Sequence, residues 1–170
     1  MQRTLEVASA VGSALDVLHG RGLIHRDVEP SNVLLTDADG TPILADFGLA
    51  KGIGYTVLTR TGMVGTLHYT APELIRGEQA APTSDIYAMA CMLYECLAGT
   101  TPFGPKSYFA LSFAHLHTDP DPIEDQCTDV SKELGRALLR GMEKEPSRRP
   151  QSAGAYADML RIVARRHATA

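Results

Sequence analysis

His25-Arg26-Asp27-Val28-Glu29-Pro30-Ser31-Asn32 is followed at once by Val33-Leu34-Leu35, then by a polar stretch through Asp39-Gly40, a second apolar run Ile43-Leu44-Ala45, and Asp46-Phe47-Gly48. Short β-branched and leucine-rich runs bounded by turn residues read as strands. An Asp-Gly pair between two such runs favours a hairpin. Asn32 enters that hairpin and Asp46 leaves it, so two oxygen-bearing side chains far apart along the chain are predicted to be close in space.

Upstream, Val7, Val11, Leu15 and Leu18 recur at helical spacing and predict one amphipathic helix, which Gly20 and Gly22 stop. Downstream, periodicity fades from Phe47 to Thr70, a long loop of the kind that is usually functional or disordered. Beyond Pro82 the positions Ile86, Met89, Ala90, Leu93 and Leu97 predict a helix with apolar residues on most faces, hence a central, buried one. A Gly/Pro-rich connection from Gly99 to Pro105 leads to a further apolar helix, and Asp119 to Asp129 reads as an acidic loop. Leu134, Leu138, Leu139 and Met142 mark one more apolar face, and Ser152 is placed to cap a last helix carrying Tyr156, Met159, Leu160 and Val163. The expected fold is mainly α with one small β hairpin.

With 170 residues, 44% of them hydrophobic and 21% charged, the chain is sized for one folded domain. A net charge of −4 and a pI near 5.8 leave no basic stripe, which argues against nucleic-acid binding. No apolar run is long enough to span a membrane, and the first residues lack a secretion-signal pattern, so a soluble cytoplasmic chain is expected. Cys91, Cys96 and Cys127 are an odd set without metal-ligand spacing; Cys91 and Cys96 sit in an apolar segment and read as small buried hydrophobes.

Taken in order, His25-Arg26-Asp27 with Asn32, then Asp46-Phe47-Gly48, then Ala71-Pro72-Glu73 resemble the H-R-D-x-x-x-x-N, D-F-G and A-P-E series of protein kinases. The chain is identified as resembling a Hanks-type, bacterial-style serine/threonine protein kinase from about Leu5 to Val163, nearly its whole length. The resemblance implies the protein-kinase fold, with residues 1–170 as its large C-terminal lobe, a catalytic loop at 25–32 and an activation segment at 46–73. It implies ATP and Mg as cofactors and a protein as substrate. Asp27 would then orient the substrate hydroxyl, while Asn32 and Asp46 would hold Mg against the phosphates. Alone, each aspartate would read as a surface-loop carboxylate.

By the same resemblance His25 packs under the Asp46-Phe47-Gly48 turn, and Arg26 clamps a phosphorylated loop residue, for which Thr59 and Thr61 are the candidates. Thr66, after Gly65, stands where such kinases keep a hydroxyl bonded to the catalytic aspartate. Glu73 and Arg149 match the family's buried ion pair, and Asp85 matches the residue that holds the catalytic-loop backbone. The bland readings are a surface arginine for Arg26 and locally hydrogen-bonded threonines for Thr59 and Thr61.

Two departures bear on activity. Glu29 stands where these kinases carry a lysine that contacts the transferred phosphate, and at about 4 Å one unit-charge interaction amounts to roughly 4 kcal/mol at an effective dielectric near 20. The sequence also holds no glycine-rich loop, no phosphate-pairing strand lysine and no glutamate partner for it, so the 170-residue chain alone is expected to be inactive, a lobe without its N-terminal β lobe. A pseudokinase or scaffold of the same fold is therefore the first alternative, and a kinase-like small-molecule phosphotransferase the second. Against the latter stand Gly65-Thr66 and Ala71-Pro72-Glu73.

Overall fold

The computed structural model describes residues 1–46 and 67–168. Helix α1 spans Gln2–His19 and buries Thr4, Ala8, Val11, Leu15 and Leu18, at alternating spacings of four and three. Thr4 and Ala8 replace Val7 on the inward face, and Val7 is only half-buried. Small residues suit that face because α1 runs hard against the last helix: a Cβ on Gly12 would lie 2.8 Å from the Ala153 carbonyl oxygen and 3.2 Å from the Ala157 Cβ.

Strands β1 (Val33–Leu35) and β2 (Pro42–Leu44) form an antiparallel pair with Val33 opposite Leu44 and Leu34 opposite Ile43. The connection closes on itself: the Thr41 amide donates to the Asp39 carboxylate and to the Thr36 hydroxyl, both at 2.9 Å, and Gly40 adopts φ 70. The Thr36 hydroxyl also donates to Asp39, and with the Thr41 amide it holds this exposed carboxyl at about 2. Leu44 turns into the core, whereas Leu34, Leu35 and Ile43 remain about half exposed on the outer side.

Helix α2 is a single turn, Pro72–Ile75. Helix α3, Pro82–Ala98, is the centre of the molecule: it starts with Pro82 in its first turn, every residue from Thr83 to Tyr94 is buried, and Gly99 ends it in the left-handed conformation at φ 71. Helix α4 (Tyr108–His117) is capped by Ser107 and α5 (Lys132–Leu139) by Ser131. The acidic stretch between them contains a 3-10 turn, Ile123–Asp125, because fully buried Ile123 anchors it to the core, so it is not a plain loop. Among the cysteines, Cys91 is buried inside α3, but Cys96, near that helix's end, faces solvent.

Helix α6 spans Ala153–Ala168. The Ser152 hydroxyl accepts from the Ala155 amide at 3.1 Å. Asp16 of α1 completes this start across the fold: its carboxylate accepts from the Ala153 and Gly154 amides at 2.9 and 3.1 Å and from the Ser152 hydroxyl at 2.9 Å. One core joins α1, α3, α5 and α6, and a smaller cluster of Leu67, Phe103, Leu111 and Ala114 lies beneath the segment leading into α2.

Candidate active site

The loop between α1 and β1 does not follow a regular path, and its shape is held from α3. Asp85, on the first turn of α3 and 1% exposed, accepts from the backbone amides of His25 (Oδ2, 2.8 Å) and Arg26 (Oδ1, 2.8 Å). The His19 Nε2 lies 2.8 Å from the same Oδ2, and since a carboxylate can only accept, this nitrogen carries the proton. Arg26 adopts φ 65, a left-handed conformation disfavoured for a side chain with a Cβ, and Asp46 adopts φ 53. Such backbone persists where surrounding bonds over-determine it, and it clusters at functional sites.

His25 is itself buried and bridges the two halves of the site. Its Nδ1 accepts from the Asp27 amide at 3.3 Å, which leaves Nε2 to donate to the Ala45 carbonyl at 3.2 Å. Pro30–Asn32 then form a 3-10 turn, closed by the Asn32 amide on the Glu29 carbonyl at 3.0 Å. The buried Asn32 side chain donates through Nδ2 to the Asp27 carbonyl at 2.7 Å, so its amide oxygen is the end left for another partner. The Ala45 amide donates to the Asn32 carbonyl at 2.8 Å, which sets Asp46 one residue beyond the hairpin's last link to Asn32. Asp27, Asn32 and the backbone of Asp46 are thus joined through His25, Ala45 and each other.

Glu29 lines the same small cavity as Arg26, Asp27, Tyr69, Thr70 and Asp85. The Ser31 hydroxyl donates to its Oε1 at 2.5 Å. Across that cavity the Tyr69 hydroxyl donates to Glu95 Oε2 at 2.6 Å, and burial, the Glu95 carboxylate and the field of Glu29 push the phenol well above its ordinary range.

Behind the wall of this cavity, where the lining Ser84 donates to Glu73 at 2.6 Å, Glu73 and Arg149 meet as a bidentate pair at 2.7 and 2.8 Å, 3% and 2% exposed. The guanidinium also donates to the carbonyls of Thr83, Glu143 and Lys144 and lies over the Tyr87 ring at 4.9 Å. Burial alone would raise the Glu73 carboxyl, but the Arg149 and Ser84 hydrogen bonds outweigh it and hold the group below its ordinary value.

Phe47, Gly48, Thr59, Thr61 and Thr66 lie outside the described residues. Sequence reasoning passes over His19, Tyr69 and Glu95. His19 reads as a helix-end residue, and nothing local marks its bond to a carboxylate 66 positions away; the Tyr69 contact with Glu95 spans 26. Among the described residues no group of three or more His, Cys, Asp or Glu side chains is gathered as a metal site, and no helix is long and apolar enough to cross a membrane.

This fold, a helical body with one small hairpin and an irregular loop locked from α3, belongs to a defined class. The protein kinase domain family matches residues 1–159, and the chain belongs to that family. Among characterised relatives it is 34% identical over 165 residues to serine/threonine-protein kinase PknB of Mycolicibacterium smegmatis, covering 95% of this chain and 26% of that protein. It is 38% identical over 161 residues to serine/threonine-protein kinase PknJ of Mycobacterium tuberculosis, covering 91% of this chain and 27% of that one. The solved kinase domain of M. tuberculosis PknI, a double mutant, superposes with a TM-score of 0.71 at 30% identity, over 96% of this chain and 55% of that one. The chain therefore has a bacterial, Hanks-type serine/threonine kinase fold, and it spans about a quarter of the length of the first two relatives.

Proposed function

We infer that this chain is the catalytic-loop lobe of a protein that transfers the γ-phosphate of ATP to serine or threonine hydroxyls of a protein substrate. The observation that carries the reading is the lock on Asp27: its amide is bonded to His25, its carbonyl to Asn32, and the preceding two amides to Asp85. Phosphoryl transfer depends on positioning and charge stabilisation more than on covalent help. A carboxylate held in this way is suited to orient an acceptor hydroxyl and take up its proton.

Asn32 and Asp46 fit Mg by the chemistry of their donors. Both offer hard oxygen, the Nδ2 bond of Asn32 leaves its oxygen as the end for another partner, and Mg characteristically takes only one or two protein oxygens alongside phosphates and water. When bound it would neutralise charge on the phosphates. The need for ATP assigns the domain to the cytoplasm. The half-exposed Leu34, Leu35 and Ile43 support a further lobe packing on the hairpin. In that reading 25–32 is the catalytic loop and 46–73 the activation segment, with Arg26 able to clamp phosphorylated Thr59 or Thr61 and Thr66 bonded to Asp27.

A scaffold of the same fold is the second reading, and Glu29 favours it: a carboxylate lines the cavity of Asp27 at the position where the resemblance implies a lysine. Labelled ATP with Mg and a protein substrate decides between them, using the chain with a smaller lobe grafted from a related kinase. Transfer that falls by about 100-fold or more in Asp27→Asn supports the kinase. Glu29→Lys is expected to raise the rate by about tenfold, roughly 1.4 kcal/mol of barrier. No transfer by either version, with nucleotide bound and the fold intact, would establish the scaffold.

A further inference from the structure

We propose that Lys144, in the segment between α5 and α6, is a covalent modification site, a half-buried amine open to N-acylation by small acyl phosphates. Its Nζ lies 4.8 Å from the centre of the Phe103 ring and donates to the Ala114 carbonyl at 3.3 Å. That carbonyl already accepts from the Thr118 amide at 2.9 Å, and the same ring meets fully buried His115 edge-on at 4.8 Å. Among the described residues no carboxylate lies within ion-pair distance of Lys144. An ammonium placed here exchanges much of its water for an aromatic face and a shared carbonyl.

The titratable groups around it come from each packed element. Helix α3 supplies Cys91, whose buried thiol is pushed up to about 12 and so carries no charge to hold the ammonium. Helix α4 supplies neutral His115, and Asp119 follows that helix; Glu143 and Arg149 lie on the segment of Lys144 itself. Burial pushes the amine from 10.5 down to about 8, and Arg149 adds to this against the Asp119 and Glu143 carboxylates. Desolvation beside a second cation makes a lysine nucleophilic near neutral pH. Residues 143–149 hold three cations against two carboxylates, which suits an anionic reagent, and a half-buried nitrogen admits only a short acyl chain.

In the step itself the neutral amine attacks the acyl carbon and a C–N bond forms. The C–O bond to the phosphate breaks, phosphate leaves with that electron pair, and the surplus proton on nitrogen passes to water. The product is a neutral amide, so the attraction for the Phe103 ring is lost with the charge. Because the Lys144 carbonyl accepts from Arg149 at 3.1 Å, the residue ties the Glu73–Arg149 pair to α4, and acylation weakens that tie.

The probe is acetyl phosphate, added to the unmodified 170-residue chain, with the acetyl groups located by mass spectrometry of its peptides. At pH 7.5 Lys144 is expected to react about tenfold faster than the exposed Lys106 and Lys132, its larger share of free amine outweighing its weaker basicity. Its rate should level off within about one pH unit above 8. In guanidinium chloride, with the fold lost, the preference should vanish. A Lys144 no faster than Lys106 and Lys132 in the folded chain, a rate still climbing about tenfold per unit between pH 8.5 and 9.5, or a preference that survives unfolding would each overturn the proposal. None of these outcomes depends on phosphate transfer by the chain.

Discussion

Glu73 and Asp85 are two carboxylates buried almost equally, at 3% and 1% exposure, and the fold satisfies them in opposite ways. Glu73 meets a full positive charge, and its partner Arg149 reaches three further carbonyls, so the pair fastens α2 to the turn before α6. Asp85 meets backbone amides and an imidazole, and what it fastens is a loop in a strained shape. A charge paired with a charge sets how strongly the elements hold together. A charge spent on backbone donors sets where a particular residue sits. His115 shows a third solution, burial as a neutral group: its Nδ1 is 2.8 Å from the Tyr87 hydroxyl, and desolvation, with the charge of Lys144 adding to it, pushes the imidazole down to about 3.

The largest expected effect comes from breaking the charged pair. Arg149→Met strands Glu73 in the interior and should cost about 3 to 5 kcal/mol, read as a loss of chemical-denaturant midpoint. Adding Glu73→Met should recover part of that loss, but not all of it, because the carbonyls of Thr83, Glu143 and Lys144 lose their donor as well. A double variant no more stable than Arg149→Met would mean that the guanidinium acts through those carbonyls and not through Glu73.

Acid tests the neutral solution next. The folded-state value of His115 lies below its unfolded 6.5, so its contribution is fully present above pH 6.5 and is lost as pH falls toward 3, at up to about 1.4 kcal/mol per pH unit. Glu73, held below 4.5, adds a second loss only at lower pH, as pH falls from its unfolded value through its folded one. Denaturant titrations at pH 7, 6, 5 and 4 should therefore show stability declining before any carboxylate protonates. His115→Gln, which cannot titrate, should flatten the slope between pH 6 and 5, and an unchanged slope would assign the decline to another group.

The smallest effect concerns Asp16, which resembles Asp85 in accepting from backbone amides but holds an ordinary helix start, with no strained loop. Asp16→Ala should cost about 1 to 2 kcal/mol, the size of a lost helix cap, because Ser152 still caps the same end. A larger loss, measured by the same denaturant series, would show that α1 and α6 dock through this carboxylate and not through the close approach at Gly12.

Much of this fold is legible in sequence because its signals are local. The hairpin follows from two short apolar runs around Asp39-Gly40, and α3 from apolar residues on most of its faces, which leaves a buried position as the one suited to it. The stripe on α1 holds at Val11, Leu15 and Leu18 but takes in Thr4, Ala8 and Gly12 in place of Val7, and the close helix approach at Gly12 is a property of the partner helix that periodicity does not contain. The motif residues 25–32 are contiguous and so recognisable together. The bonds that hold them are not: His19 with Asp85 joins two helix ends, and Tyr69 with Glu95 joins the segment before α2 to the end of α3. Cys96 carries the same apolar neighbourhood in sequence as Cys91, yet α3 emerges from the core between them.

The division of labour between the two buried carboxylates is tested most directly by amide hydrogen exchange in Asp85→Asn, referenced to the exchange of Met89 and Leu93 within α3. An asparagine keeps the shape but offers one acceptor oxygen in place of two, so one of the two loop amides loses its partner. Protection at His25 or Arg26 should fall by tenfold or more beyond any change in α3, while the same residues in Arg149→Met lose protection only in step with α3. Exchange at 25 and 26 that tracks α3 in Asp85→Asn as closely as it does in Arg149→Met would contradict it, making Asp85 one more contributor to overall stability with no special hold on the loop.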